Sequence, residues 1–144
     1  MTASTFALVQ IIAFVAAATP LVLEGINTWT AGNRNNAILF VAGVVMALAA
    51  YALGHSTFSP GSLALGIAIA TALLVAAATG AISGGVAKSC IAMLPWFSTE
   101  AWLSVFIAGM MIAAMLGFLS KRNVLIAPPM VASGVVALAV PILM

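Results

Sequence analysis

Long apolar runs fill most of this chain and leave only short polar segments between them. Apolar residues make up 65% of the 144 residues, and charged residues only 4%. A soluble globular domain carries about 25% charged residues. A helix that crosses the hydrocarbon core of a bilayer needs about 20 apolar residues, so the sequence predicts an all-α membrane protein with roughly four to five transmembrane helices and short loops.

The predicted helices form a single transmembrane domain without a folded domain outside the membrane. The segment at residues 86–99 is too short and too broken by Pro95 to cross the membrane, so we interpret it as an interfacial connector. The first apolar run could also be a cleaved signal peptide, but no Lys or Arg precedes it. The last two helices form a C-terminal helical hairpin. The predicted helices cover approximately residues 5–23, 37–54, 62–85, 100–119 and 124–144.

Side chains that carry chemistry are scarce. The chain has two acidic residues, one His and one Cys, which is too few for a carboxylate dyad, a multi-His metal site or a proton relay. We interpret Glu24 as an interfacial acid at a helix end, His55 as a solvated loop residue and Cys90 as a small buried residue. We therefore expect no enzyme activity, no metal and no cofactor apart from bound phospholipid. The net charge of +2 also gives no reason to expect nucleic-acid binding.

A few residues are candidates for binding or packing. Lys121 and Arg122 lie between the last two predicted helices, where they would line the interior of a tube of stacked hairpins or bind lipid phosphates. Alternatively, they form an ordinary loop that sets the topology. Gly80 and Gly84 have the spacing of small residues that lets a second helix approach closely. Three tryptophans are predicted interfacial anchors: Trp29, Trp96 and Trp102.

The sequence also contains a weak internal repeat. The tripeptide at residues 33–35 precedes VAGVVMALA at 41–49, and a similar tripeptide at 121–123 precedes VASGVVALA at 131–139. If residues 62–85 cross the membrane, the two copies would have inverted orientations, as in many transporters. Chance similarity between two apolar segments of low complexity is the more common explanation.

The order of motifs in the last third of the chain is similar to that of a known family. The residues Leu94, Pro95 and Trp96 precede an apolar helix at 102–119, the polar segment 120–123 follows, and a second apolar helix covers 124–144. In this order they resemble the TrbC/VirB2 family of conjugative and type IV secretion pilins. The resemblance implies a subunit of the inner membrane that assembles with phospholipid into a helical extracellular filament. It also implies that Lys121 and Arg122 face the lumen or the lipid headgroups.

Three functions remain open at the level of the sequence. The first is a pilin-like structural subunit, which we favour because the hairpin motifs match in order and position. The second is a small non-catalytic subunit packed in a larger membrane complex. The third is a holin-like pore or a small transporter with Gln10, Glu24 and Thr71 near its pathway, although intramembrane polar residues are scarce. The expected partners are membrane lipid and either further copies of the chain or a larger complex.

Overall fold

The structure is a computed structural model that describes residues 2–28, 32–55, 60–120 and 127–143. Over these residues the chain forms α-helices, one 3₁₀ turn and no strand, so the predicted all-helical fold is confirmed. The 3₁₀ turn Leu94–Trp96 follows the fourth helix. The helices are α1 (Ala3–Thr28), α2 (Asn33–Ala52), α3 (Pro60–Ala78), α4 (Gly84–Met93), α5 (Thr99–Ser120) and α6 (Ala127–Leu143).

Three helices, α1, α2 and α3, are long and apolar enough to cross a membrane by length and composition. Within α5 and α6, the described residues contain shorter apolar stretches at Ala101–Leu116 and Pro128–Val140. Ala and Leu dominate these segments and lose little conformational freedom in a helix. A helix also pairs its own backbone groups, which a hydrocarbon environment requires.

The helices pack around α1 and the middle of the chain. α1 contacts both α2 and α6, and α6 also packs along α5, as expected for the C-terminal hairpin. α4 and the 3₁₀ turn pack against α2. α3 reaches the rest of the molecule mainly through α4. Thus α3 lies at the edge of the helix bundle.

The structure corrects the prediction for the middle of the chain. The helix predicted at 62–85 ends at Ala78, because Gly80 adopts a positive φ of 79° that terminates it. Ser83 then starts a new helix, and its Oγ accepts a hydrogen bond from the Val86 N–H at 3.3 Å. Where residues 86–99 lie relative to the membrane interface stays a prediction. Most of that segment belongs to α4 and the 3₁₀ turn, and five residues of α4 are buried.

Two further helix boundaries differ from the prediction. The first helix continues past the predicted end at residue 23 to Thr28, and the second begins at Asn33 instead of residue 37. Both extensions are rich in polar residues and lie between the predicted helices 5–23 and 37–54. They remain helical because Glu24 and the Asn-rich start of α2 form hydrogen bonds with each other, described below.

An aromatic cluster, formed by Phe14, Trp96 and Phe97, occupies the core. The ring centroid of Phe14 lies 5.2 Å from that of Trp96 and 5.6 Å from that of Phe97, both in edge-on geometry. Two glycines make room for these rings. A Cβ atom on Gly43 would lie 2.6 Å from Trp96 Nε1, and one on Gly134 would lie 2.9 Å from Phe14 Cζ. The two helices of the weak sequence repeat, α2 and α6, thus both approach the aromatic cluster at a glycine.

Candidate functional site

Two of the predicted interfacial tryptophans lie inside the protein. Trp96 and Trp102 are each only 2% exposed. The indole N–H of Trp96 donates to the Leu39 carbonyl at 2.9 Å, and that of Trp102 donates to the Cys90 carbonyl at 3.2 Å. The prediction that they are interfacial anchors is wrong, because backbone carbonyls inside the bundle satisfy the indole groups that headgroups or water would otherwise satisfy. Trp29 lies outside the described residues.

The predicted glycine packing motif is also wrong within this chain. Gly80 lies in the turn after α3, whereas Gly84 is the first residue of α4, so the two do not share a helix face. A Cβ atom on either glycine would meet nothing within 4 Å. Lys121 and Arg122 fall outside the described residues, and their role at a lumen or at lipid headgroups stays a prediction.

The three polar residues suggested for a transport pathway have separate partners. Gln10 Nε2 donates to the Trp96 carbonyl at 2.9 Å in the core. Thr71 Oγ1 donates to the Ile67 carbonyl of its own helix at 2.9 Å, on the exposed surface of α3. Glu24 binds the start of α2 instead. These contacts do not form a common polar path.

A polar cluster lies where α1 ends and α2 begins. The Glu24 carboxylate accepts hydrogen bonds from the Gly32 N–H at 3.0 Å and from Asn35 Nδ2 at 2.7 Å. The first N–H groups of a helix have no partner within the helix, and a carboxylate near them is favoured by the helix dipole. Any Cβ atom on Gly32 would collide with the Glu24 carboxylate. Glu24 therefore connects α1 to the start of α2.

Lys88 of α4 lies at the same end of the molecule as this polar cluster. Its Nζ donates to Asn33 Oδ1 at 2.8 Å. One helical turn further along α2, Asn36 is only 5% exposed, and its Nδ2 donates to the Gly32 carbonyl at 3.1 Å. Asn36 Oδ1 is buried and has no hydrogen-bond partner in the described part of the chain. A buried acceptor without a partner costs about 1–3 kcal/mol, so this oxygen is a place where a ligand could gain binding energy.

These side chains line an open cleft between α2, α3 and α4. Its volume is about 370 Å³. Polar groups lie at one end, and apolar side chains line the remainder. The lining residues are Asn33, Asn36, Ala37, Phe40, Leu74, Lys88, Ile91 and Ala92.

The two remaining candidates for chemistry are accounted for by packing. Cys90 is fully buried, its Sγ lies 3.7 Å from Met130 Sδ, and burial raises the pKa of its thiol to about 12. Its interpretation as a small buried residue is confirmed. His55 packs its ring 5.3 Å from that of Phe6. No group of three or more His, Cys, Asp or Glu side chains that could hold a metal occurs among the described residues.

Asn36 and Lys88 were not among the site residues predicted from the sequence. A signal for part of the site was present, because residues 33, 36, 37 and 40 follow the i, i+3, i+4, i+7 spacing of one helix face. The Asn-rich segment was assigned to a loop, which hid this spacing. The contribution of Lys88 depends on the packing of α4 against α2, which no local pattern indicates.

Comparisons with known proteins give no relative for this chain: no protein-family model, no curated protein and no solved structure matches it. The resemblance to pilins therefore stays a prediction from motif order.

Proposed function

We propose that this chain is a non-catalytic structural subunit of a membrane assembly and that its functional form is the intact helix bundle. In this proposal α5 and α6 cross the membrane together with α1, α2 and α3. The subunit would act through the surfaces that it offers to lipid and to neighbouring subunits.

The observation that supports this proposal is the insertion of α1 into the C-terminal third of the chain. Phe14 packs against Trp96 and Phe97, and Gln10 donates a hydrogen bond to the Trp96 carbonyl. The close contact between Phe14 and Gly134 extends this packing to α6. Removal of α1 would leave the Trp96 carbonyl and the aromatic cluster without these partners. The α5–α6 hairpin is therefore not an independent packing unit.

The surface of α3 fits a role in assembly. None of the residues in the apolar stretch Gly61–Ala78 is buried within the chain. Its exposed side chains include Leu63, Leu65 and Ile67, each at least 49% exposed. Such a helix faces lipid or a neighbouring subunit, and small residues along it allow close helix–helix approach in a membrane. Further copies of this chain and a larger membrane complex are both compatible with this surface.

A pilin-like subunit is the second candidate function. It is supported by the packing of α5 along α6 directly after the Leu94–Trp96 segment, which is the hairpin arrangement that the motif order predicted. In such a subunit Lys121 and Arg122 would face the filament lumen or bound phospholipid. The subunit would be stored in the inner membrane and would move into an extracellular filament on assembly.

The experiment that separates the two candidates is fractionation of cells that express the chain, followed by intact-mass analysis. The first proposal predicts the complete 14.5 kDa chain in the membrane fraction, where chemical crosslinking in mild detergent captures neighbouring subunits. Filaments in sheared extracellular material that contain α5 and α6 without α1 would contradict it and support the pilin.

A matched pair of variants sharpens this experiment. Phe14→Ala removes a fully buried ring from α1, whereas Val15→Ala trims a neighbour that is 41% exposed. If the intact bundle is the functional form, Phe14→Ala lowers the yield of crosslinked assembly and Val15→Ala does not. Equal yields for the two variants would show that assembly does not depend on the packing of α1.

A further inference from the structure

We infer that the cleft between α2, α3 and α4 binds one membrane phospholipid whose headgroup carries a hydrogen-bond donor beside its phosphate, as phosphatidylethanolamine does. Neither proposed function requires this site. Its three elements of recognition are a cation, a buried acceptor and an apolar wall that follows the direction of a spanning helix.

Lys88 supplies the cation. A lysine ammonium has three N–H donors, and the 2.8 Å bond to Asn33 Oδ1 uses one of them and fixes the group at the polar end of the cleft. Hydrogen bonds between an ammonium and a phosphate are short and about twice as strong as neutral ones. The phosphate of a lipid is the anion that a membrane offers at this position.

Asn36 supplies the acceptor. Asn36 lines the cleft, only 5% of the residue is exposed, and its Oδ1 has no hydrogen-bond partner in the described part of the chain. The amide nitrogen already donates to the Gly32 carbonyl, which leaves the oxygen to accept. An ammonium or hydroxyl group beside the phosphate would give this oxygen its missing hydrogen bond.

The apolar wall distinguishes a lipid from a soluble phosphate ester. From Asn33 to Phe40 the cleft follows α2 for about 10 Å, at a rise of about 1.5 Å per residue, starting at the first residue of the helix. Leu74 of α3 and Ile91 of α4 also line it. Since α2 and α3 are both candidate membrane spans, the cleft runs in the direction of a lipid chain. A headgroup thus fits at its polar end and an acyl chain along the remainder.

The test compares two lipids that differ only at the headgroup nitrogen. Phosphatidylethanolamine carries three N–H donors, and phosphatidylcholine carries three methyl groups in their place. We expect the purified full-length chain, in native mass spectrometry from mixed micelles with equal amounts of both lipids, to retain phosphatidylethanolamine at least about fivefold more, because only this lipid satisfies Asn36. Equal retention of the two lipids would overturn the proposal.

Variants test whether Lys88 and Asn36 are responsible for lipid retention and for the preference between the two lipids. Lys88→Gln should lower retention of both lipids at least about fivefold, whereas Asn36→Leu should abolish the preference between them. Arg34→Gln is the matched control, since Arg34 is an exposed cation in the first turn of α2 that does not line the cleft. An equal effect of Lys88→Gln and Arg34→Gln would overturn the site, because it would indicate general attraction between charges.

Two measurements keep the test decisive if a variant folds poorly. Protection of the buried Cys90 from maleimide reports whether each variant is folded. Ala37→Trp fills the cleft from an exposed position on α2 without a change in Lys88 or Asn36, and it should displace the lipid. The soluble headgroup glycerophosphoethanolamine should not compete at equal concentration. Full competition by it would show that the site recognises a free phosphate ester and would overturn the assignment to a lipid.

Discussion

α3 and the segment that follows it lie in opposite surroundings. We call α4 together with the 3₁₀ turn Leu94–Trp96 the α4 segment. α3 has 19 residues, nearly all apolar, and no buried residue in its candidate span. α4 has 10 residues, includes Lys88, Ser89 and Cys90, and five of its residues are buried. The more polar and shorter helix is therefore inside, and the longer apolar one is outside.

This contrast shows that apolarity does not decide which helix enters the core of this chain. In lipid an apolar side chain gains little by moving from acyl chains to a protein interior, so packing and hydrogen bonds select the buried helix. The α4 segment offers both. Trp102 donates to its Cys90 carbonyl, Lys88 donates to Asn33, and Trp96 fits against Gly43. In α3, Ile69 and Leu73 pack against the core while only partly buried, and Thr71 donates within its own helix.

The largest expected effect concerns Trp96. Trp96→Ala removes a buried ring and its hydrogen bond to Leu39, and should lower the free energy of unfolding by about 3–5 kcal/mol. The control Leu65→Ala on α3, at a residue 49% exposed, should change it by no more than about 0.5 kcal/mol. Both values come from denaturation in detergent followed by circular dichroism. Similar losses of unfolding free energy for the two variants would contradict the contrast between the α4 segment and α3.

The reactivity of thiols placed in the same two regions tests this comparison without the removal of a packed ring. Burial raises the pKa of Cys90 to about 12, so at pH 8 very little of it is thiolate, and the thiolate is the reactive form. We expect maleimide to label Cys90 at least about a hundredfold more slowly than a cysteine in Cys90→Ala/Thr79→Cys, at an exposed position directly after α3.

The pH dependence gives a second readout of this prediction. Between pH 8 and pH 10 the Thr79→Cys thiol passes through its ordinary pKa and becomes mostly thiolate, whereas Cys90 stays mostly protonated below its pKa of about 12. Unfolding in strong detergent should remove the difference in labelling rate. Rapid labelling of Cys90 in the native protein would place α4 at the surface.

A smaller effect is expected from glycine substitutions. Gly43→Ala places a Cβ atom 2.6 Å from Trp96 Nε1 and should destabilise the protein by about 1–3 kcal/mol, because the core must shift to accommodate it. Gly66→Ala on α3 meets nothing within 4 Å and should stabilise the helix by up to about 1 kcal/mol. The two substitutions thus differ in sign in the same unfolding assay. A loss at Gly66 comparable to that at Gly43 would reveal close packing on α3.

The smallest expected effect concerns a single hydrogen bond. Gln10→Leu leaves the Trp96 carbonyl without the donor that lies 2.9 Å away and should cost about 1 kcal/mol. Thr71→Val on α3 removes a bond to the Ile67 carbonyl of the same helix and should change stability by no more than about 0.5 kcal/mol. If Gln10→Leu is neutral, the bond between α1 and the α4 segment does not contribute to stability.

The sequence predicted the helical class and the positions of most of the helices. It also identified Cys90 as a buried small residue. It failed where polar residues continue a helix, as at Glu24 and Asn33, because their hydrogen bonds join two different helices. It also misplaced Trp96 and Trp102. A segment that contains tryptophan looks the same in sequence whether it lies at the membrane interface or in a core. In the core of this protein, backbone carbonyls accept the indole N–H groups.

The sequence by itself determined that this chain forms apolar helices, since 65% apolar residues and 4% charged residues leave little else for it to form. The early end of α3 came from the structure, where Gly80 adopts a positive φ at low cost after a helix that the sequence had extended to residue 85. Only the tertiary structure decided that the α4 segment lies inside, that α1 completes the core around Trp96, and that Lys88 and Asn36 share a cleft. The physical reason is that these outcomes depend on contacts between residues distant in sequence. Apolarity, the main signal in this sequence, does not distinguish them, because an apolar side chain is about equally stable against lipid and against protein.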